Sequence, residues 1–491
     1  MQTYPYDRYT DTEPIGITAA LGIQGWGHLD PVLLAALAID APLLLVGPHG
    51  TAKSQLVEKI ARALGLSMRH YNASLINYDD LVGIPMPDED GENLHFISTP
   101  GAIWGAEFVF FDEISRCRPD LQNKMFPIIH ERRIAGIRLE QLRHRWSAMN
   151  PPAPEDPEVN AGMDTYLGSE PLDPALADRF PFVVPVPNWK QLTKQSRRAL
   201  VSGQTTNPLA IDEDDGMIEM LGSYIEQTQA LIPDIHDALM SWVSDYVVSA
   251  VDLLEQAQLA QSPRRAVMLA KALIAIHAAR LVLEGEDAEL EQSAELTLTY
   301  CLPQSASEVP PTRATIVSVH RQAWEISNLS ENDAWRQVLE ELHPARRIVL
   351  ADQLGLSDED VSRLITQALG SEQVDARRVG LATCIFVAFR SRRNLTPAAW
   401  EPLTQFAARV LEARALSSTL RPGAMTDIWN EIVNWQVPVE DTHSLRHRLE
   451  RNFVFNGFPD LWLRMDWKQE LQYFREYCDL FGIGLEEEQQ Q

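Results

Sequence analysis

The clearest chemistry in this chain lies in LLLVGPHGTAKS, Leu43 to Ser54, where an apolar run ends in a glycine-bearing turn carrying Lys53 and Ser54. Apolar residues at helical spacing follow at once in QLVEKIARAL, Gln55 to Leu64. A buried strand, a tight turn and a helix in that order make a phosphate-binding loop. The turn of Gly47, Pro48, His49, Gly50, Thr51 and Ala52 would wrap a phosphate with its backbone amides, and the helix start adds the positive end of its dipole. Lys53 would reach the β- and γ-phosphates of a nucleotide, and the Ser54 hydroxyl would hold Mg²⁺. One position departs from G-x-x-x-x-G-K-[ST]. Ala52 stands where that pattern has glycine, and alanine fits there only with a negative φ. Glycine-bearing turns before helices are also common where nothing binds. His49 reads as a solvent-facing turn residue rather than a catalyst.

A second constellation lies further along, in EFVFFDE, Glu107 to Glu113, where four apolar residues run into two carboxylates. This resembles a Walker B motif. Asp112 can position Mg²⁺ through its waters, because that hard cation prefers oxygen ligands and keeps part of its hydration shell. Glu113 can orient and polarise the water that attacks a γ-phosphate. The other use of such a pair is to cap the following helix.

These residues need a scaffold, and 491 residues suffice for two to four domains with a sizeable core. Hydrophobic residues make up 45% and charged residues 23%, a globular rather than a disordered mixture. With 42 basic against 69 acidic residues the formal charge is −27, a field that repels nucleic acid and anionic membrane unless a local basic face opposes it. The most apolar long stretch read from the sequence, Leu29 to Val46, is interrupted by Asp30 and Asp40, so no membrane insertion is expected. The N-terminus MQTYPYDRYTD lacks the basic region and apolar core of a signal peptide. Cys117, Cys301, Cys384 and Cys478 are scattered without metal-ligand spacing. A cytoplasmic location is the expectation.

Up to about residue 190, strand-like runs alternate with helices, which predicts a parallel α/β sheet. Strands are expected at Leu43 to Val46, Phe108 to Phe111, Trp146 to Met149 and Phe182 to Val184, with helices at Pro31 to Ile39, Ser54 to Leu64 and Asp120 to His130. The proline- and acid-rich stretch from Asn150 to Glu158 reads as an exposed loop. Beyond Gln191 strand signals fade, and Met217 to Leu231 and Arg265 to Leu283 show helical periodicity. Pro303 to Thr312 reads as a linker between two helical parts, and the EEEQQQ tail as a frayed end. In the C-terminal third, DAWRQVLEELHPARRIVLADQLGL and DLWLRMDWKQELQYFREYCDLFGI place aromatic residues at helical spacing, a pattern of core packing or of an adaptor-docking surface.

Taken in order, these motifs resemble the AAA+ ATPases, and within them the MoxR family, over roughly residues 15 to 300. GPHGTAKS, with alanine before the lysine, is similar to the RavA branch of that family. NYDDLVGIPMPDEDGENLHFISTPGAIWGAE resembles the family's insertion in helix 2, and FFDEISRCRPDLQNKMFPIIHERRI resembles the segment that follows its acidic pair. A hairpin from Arg132 to Arg145 would then lead to sensor 1. The resemblance implies an AAA+ P-loop parallel sheet core over residues 1–190, an all-α lid over 191–305 and an all-α C-terminal domain over 306–491.

The resemblance also implies roles for three further polar residues. Asn150, in WSAMNP, matches sensor 1, an amide that would hydrogen-bond phosphate or attacking water; Asn-Pro is otherwise a turn starter. Arg179, in LDPALADRF, matches the arginine finger that reaches a neighbouring subunit's γ-phosphate; its alternative is an ion pair with Asp178 or another acid of its own chain. Arg264, in QSPRRAVMLAKAL, resembles the sensor 2 arginine, and the adjacent Arg265 leaves that assignment open by one position. Arg116, Arg118, Arg132 and Arg133 would line a subunit interface or pore, or are simply solvated surface charge.

The family likeness implies ATP and Mg²⁺ as cofactors and a closed homo-oligomeric ring, most simply a hexamer, since the finger is shared. The ring would remodel or activate a protein partner, with a von Willebrand factor A domain protein as the partner the family suggests. Two other functions remain open. One is an ATP-binding switch or scaffold of low turnover in a stress or phage-defence module, hinted at by Ala52. The other is a DNA-dependent motor, which the acidic charge disfavours.

Overall fold

The computed structural model describes residues 16–87, 90, 94–97, 99–152, 171–203, 215–307, 309–330, 332–411, 444–456 and 467–484. Most of the acid-rich loop after Asn150, the N-terminal stretch and the acidic tail lie outside these residues. The chain forms two compact units, residues 1–327 and 328–491.

The first unit is built on five parallel strands: β1 (Leu43–Val46), β2 (Met68–Asn72), β3 (Phe108–Asp112), β4 (His144–Met149) and β5 (Phe182–Pro185). Their order across the sheet is β2-β3-β4-β1-β5. All four residues of β1 are buried, because β4 and β5 pair on its two sides and helices cover both faces, which is why it reads as an unbroken apolar run. The fold is therefore a parallel sheet core with flanking helices followed by an all-α region, as the motif order implied.

Four of the five sheet strands match expectation to within two residues. β2 went unread. Its sequence MRHYN lies at the sheet edge, where only Tyr71 is buried, so no apolar period marks it. The segment resembling a helix 2 insertion contains the short helix Tyr78–Val82 and an antiparallel pair, Ile84–Pro87 with Leu94–Ile97. The expected hairpin is present as Arg133–Ile134 paired with Ile137–Arg138.

Helix α1 (Asp30–Ala38) is buried on all sides, and α2 (Lys53–Ala63) follows the phosphate-loop turn. Helix α3 (Pro119–Glu131) follows the acidic pair, and Arg145 at the start of β4 donates to the carbonyls of Ile129, 3.1 Å, and Asp40, 2.8 Å. The described residues of the unit also include the short helix Lys194–Ser202 and the longer α4 (Asp215–Gln256), α5 (Pro263–Glu284), α6 (Leu290–Tyr300) and α7 (Arg313–Ser327). Helices α4 and α5 pack on each other and on α1, with α6 and α7 beside them.

Two sequence expectations change here. Pro303 to Thr312 is not a linker between units: Pro303–Ala306 forms a 3-10 turn packed on β5 and on the short helix Pro174–Ala177, and α7 packs on α4. The break comes after Ser327. Secondly, the most membrane-like segment is not Leu29 to Val46. Among the described residues one helix, Pro263–Asp287, is long and apolar enough to cross a bilayer by length and composition, and it is mostly buried, packed against α1, α4 and α6.

The second unit is all-α among its described residues, with helices at Ala334–Glu340, Pro344–Gln353, Asp358–Ser371, Asp375–Phe389, Pro397–Leu411, Leu445–Asn456 and Trp467–Leu480. Trp467, Phe474 and Tyr477 are buried, so in these positions the aromatic spacing is core packing. The rings of Phe453 and Phe474 stack at 4.3 Å. A Cβ at Gly380 would meet them at 3.3 and 3.1 Å, so the bare glycine lets the helices approach.

Candidate functional site

The carboxyl ends of β1, β3 and β4 converge on one cavity of about 250 Å³. Its walls are His49 to Gln55 of the loop, Asp112 and Glu113 after β3, and Met149 and Asn150 after β4. Ligands of open parallel sheets bind at this edge. Of the expected residues, His49, Gly50, Thr51, Ala52, Lys53, Ser54, Asp112, Glu113 and Asn150 line the cavity, and Gly47 and Pro48 begin its loop.

The loop is held by its own contacts. Thr51 donates its hydroxyl to the Pro48 carbonyl at 2.7 Å, and Gly50 takes a φ of +73° that glycine adopts without penalty. At Gly47 a Cβ would stand 2.3 Å from Val186 Cγ2, so the chain passes close to the segment after β5 there.

Ala52 contradicts expectation. Its φ is +71° and ψ is 20°, the left-handed region, rather than the negative φ that alanine prefers. Ala52 is the N-cap at which the turn reverses into the helix that begins at Lys53. The strain is of order 1–2 kcal/mol. Glu113 is also left-handed, with φ 55° and ψ 40°, so the strand stops at Asp112 and the glutamate is turned aside from the strand direction.

Lys53 is almost wholly buried and donates Nζ to the carbonyls of Gly47, 2.7 Å, and Pro48, 2.8 Å. Burial lowers its pKa to about 8 against the opposing pull of Asp112 and Glu113. Ser54 donates its hydroxyl to Asp112 Oδ2 at 2.6 Å, and the Glu113 amide donates to Asp112 Oδ1 at 2.9 Å. Burial pushes the Asp112 carboxyl up, but the nearby His70 ring and hydrogen bonds from Ser54 and the Glu113 amide outweigh it and hold the pKa below the usual carboxylate value. The Glu113 carboxylate lies 3.5 Å from Ser74 Oγ and 3.7 Å from Arg116 Nη1. Arg116 is thereby bound to the acidic pair, while Arg118 donates to Asn77 Oδ1 at 3.1 Å and Arg132 faces Asp40 at 3.8 Å. Arg133 is exposed.

The donor set suits a hard divalent cation. A hydroxyl and a carboxylate oxygen converge to 2.6 Å, with the lysine ammonium beside them where phosphate oxygens would complete the shell.

Two expected residues lie outside this cavity. Arg179 stacks over the Phe126 ring at 4.4 Å and donates to the Ala175 carbonyl, rather than pairing with Asp178. Arg264 is half exposed, with Nη1 3.9 Å from Asp178. Burial, then the charges of Arg264 and Arg179, lower the pKa of His130 near the end of α3.

Arg265 behaves differently from its neighbour. Fully buried, it donates to Asp178 Oδ1 at 3.2 Å and to the carbonyls of Phe180, 2.8 Å, Cys301, 3.0 Å, and Ala177, 3.2 Å. Ser262 caps α5 through the Arg265 amide and also donates to Asp178 at 2.9 Å. Arg265 is therefore a structural tie from α5 to the segment bearing Arg179, and of the two only Arg264 has a side chain able to swing toward solvent.

Sequence reasoning also missed His70, whose ring nitrogens lie 3.6 Å from Asp112 and 3.2 Å from Glu58. No motif marks it, because the strand carrying it went unread.

The match to a family model agrees with the geometry. Residues 42–180 match the AAA domain (dynein-related subfamily), so the chain carries an AAA domain that spans β1 to the DRF segment. The uncharacterized protein YojN of Bacillus subtilis is 28% identical over 192 residues, 36% of this chain and 59% of YojN. An uncharacterized protein of Staphylococcus epidermidis is 26% identical over 159 residues, 30% of this chain and 56% of its own length. The matches thus span less than two thirds of either relative. A crystal structure of a presumed ATPase from Cytophaga hutchinsonii aligns at 17% identity with a TM-score of 0.42, covering 62% of this chain and 92% of that one.

Proposed function

We propose that this chain is a MoxR-type AAA+ ATPase whose ring couples ATP hydrolysis to remodelling or activation of a protein partner. The observation that carries the reading is the convergence of Lys53, Ser54 and Asp112 on one cavity at the carboxyl edge of the sheet, with Ser54 Oγ 2.6 Å from Asp112 Oδ2.

In this reading the ammonium of Lys53 exchanges its bonds to the Gly47 and Pro48 carbonyls for β- and γ-phosphate oxygens. Ser54 and Asp112 hold Mg²⁺, which when bound neutralises charge on those oxygens. Asn150 hydrogen-bonds the γ-phosphate or the attacking water. Glu113 leaves Ser74 and Arg116 to orient that water and accept its proton. Arg179 would serve a neighbouring copy's site, as the resemblance implies for a ring, and Arg264 would couple nucleotide state to the angle of the lid. A partner with a von Willebrand factor A domain follows from that resemblance. The charge of −27 argues against a nucleic-acid track.

A second reading, an ATP-binding switch of low turnover, is favoured by one feature. Ala52, at a φ of +71°, stands where the phosphate-loop pattern has glycine.

The two readings separate by experiment. Fluorescent-nucleotide binding and phosphate release are measured on wild type, Lys53→Ala and Glu113→Gln. The motor reading expects Lys53→Ala to lose binding, and Glu113→Gln to bind while hydrolysis falls by a factor of order 10² or more. Tight binding with no wild-type hydrolysis at any protein concentration would instead favour the switch.

A further inference from the structure

We propose that His70 is a positioning residue that fixes the Asp112 carboxylate for its cation and ties it to the phosphate-loop helix through Glu58. This rests on reading Ser54 and Asp112 as the cation-holding pair. Four side chains form a series of contacts, Ser54–Asp112–His70–Glu58, whose two ends lie on one helix. Ser54 and Glu58 stand one helical turn apart on α2 and share a face. Asp112 ends β3, and His70 lies on β2, the strand paired to β3. Ser54 donates to Asp112 Oδ2 at 2.6 Å, His70 Nε2 approaches the same oxygen at 3.6 Å, and His70 Nδ1 meets Glu58 Oε1 at 3.2 Å. The imidazole is itself fixed, tilted against the Phe110 ring at 5.0 Å.

Asp112 has two oxygens: Oδ1 is taken by the Glu113 amide, and Oδ2 is shared by Ser54 and His70. When the Ser54 hydroxyl turns from Asp112 to a cation, His70 is the remaining side-chain partner that holds Oδ2 in place. Glu58 holds the other ring nitrogen at 3.2 Å, so the imidazole is fixed in orientation beside the carboxylate. Outer partners of this kind are worth about 10- to 100-fold in metal affinity.

The test uses the full chain and reads binding, not turnover. The affinity for a fluorescent ATP analogue is titrated with Mg²⁺ in wild type, His70→Ala, His70→Gln and Glu58→Gln, with thermal melts beside each. His70→Ala is expected to raise the Mg²⁺ concentration for half-maximal affinity about tenfold while leaving Mg²⁺-free binding unchanged. His70→Gln, which keeps one N–H toward Asp112, should recover most of that loss, and Glu58→Gln should show a smaller rise in the same direction. If His70→Ala lowers the melting temperature but leaves the Mg²⁺ dependence within twofold of wild type, His70 is only a packing residue and the proposal fails. Tighter Mg²⁺ dependence in His70→Ala would overturn it too, since the imidazole would then be a competing cation. Should His70→Ala not fold, Glu58→Gln with an unaltered Mg²⁺ dependence is the refuting result. A wild type whose nucleotide binding ignores Mg²⁺ defeats the cation reading of Ser54 and Asp112 itself, and this proposal with it.

Discussion

Ala52 shows how a single methyl can change the argument about a site. Glycine at this position would adopt a φ of +71° without strain, whereas alanine does so at a cost of about 1–2 kcal/mol. Glycine recovers that strain but loses roughly 0.5–1 kcal/mol to its freer unfolded chain. Ala52→Gly should therefore stabilise the first unit by about 0.5–1 kcal/mol, read as a higher urea midpoint with an unchanged slope. A midpoint that stays or falls would mean that the loop relaxes its alanine to a different backbone. The sequence exposed the substitution but not its sign. Pattern matching locates a residue along the chain, whereas φ is set by the junction between the turn and α2. His70 was hidden for a related reason: its role depends on a partner on another strand 42 positions away.

Apolar periodicity revealed those elements that bury a continuous face. β1 and β3 were legible because both their faces are covered, and α5 because its apolar residues pack against neighbouring helices. β2 was not, since an edge strand with one buried residue leaves no period to read. The neighbouring arginines of α5 were also beyond sequence reasoning, because their difference is one of direction. Arg265 enters the interior and holds five backbone or carboxylate groups, while Arg264 faces out. Arg265→Ala would leave Asp178 and four carbonyls short of a donor. A loss of about 3–5 kcal/mol in chemical denaturation is expected, with Arg264→Ala within about 0.5 kcal/mol of wild type. Equal effects of the two substitutions would contradict the division between structural tie and mobile arginine.

At the scale of the whole molecule, the central claim is that one chain does not contain a complete catalytic site. The cavity gathers the phosphate loop, the acidic pair and Asn150. Arg179 lies apart from it, stacked on Phe126. A guanidinium supplied from a second copy is worth a factor of order 10³ or more in related NTPases. The most direct measurement is ATP hydrolysis by Glu113→Gln chains, by Arg179→Ala chains and by their mixture, with assembly mass read on the same samples. Each variant alone should be nearly inactive. In the mixture an Arg179→Ala chain supplies an intact acidic pair and its Glu113→Gln neighbour an intact arginine, so a substantial fraction of wild-type turnover should return as mixed assemblies form. A mixture that assembles yet stays as inactive as its components, or an Arg179→Ala protein that hydrolyses ATP at the wild-type rate, would contradict the shared site.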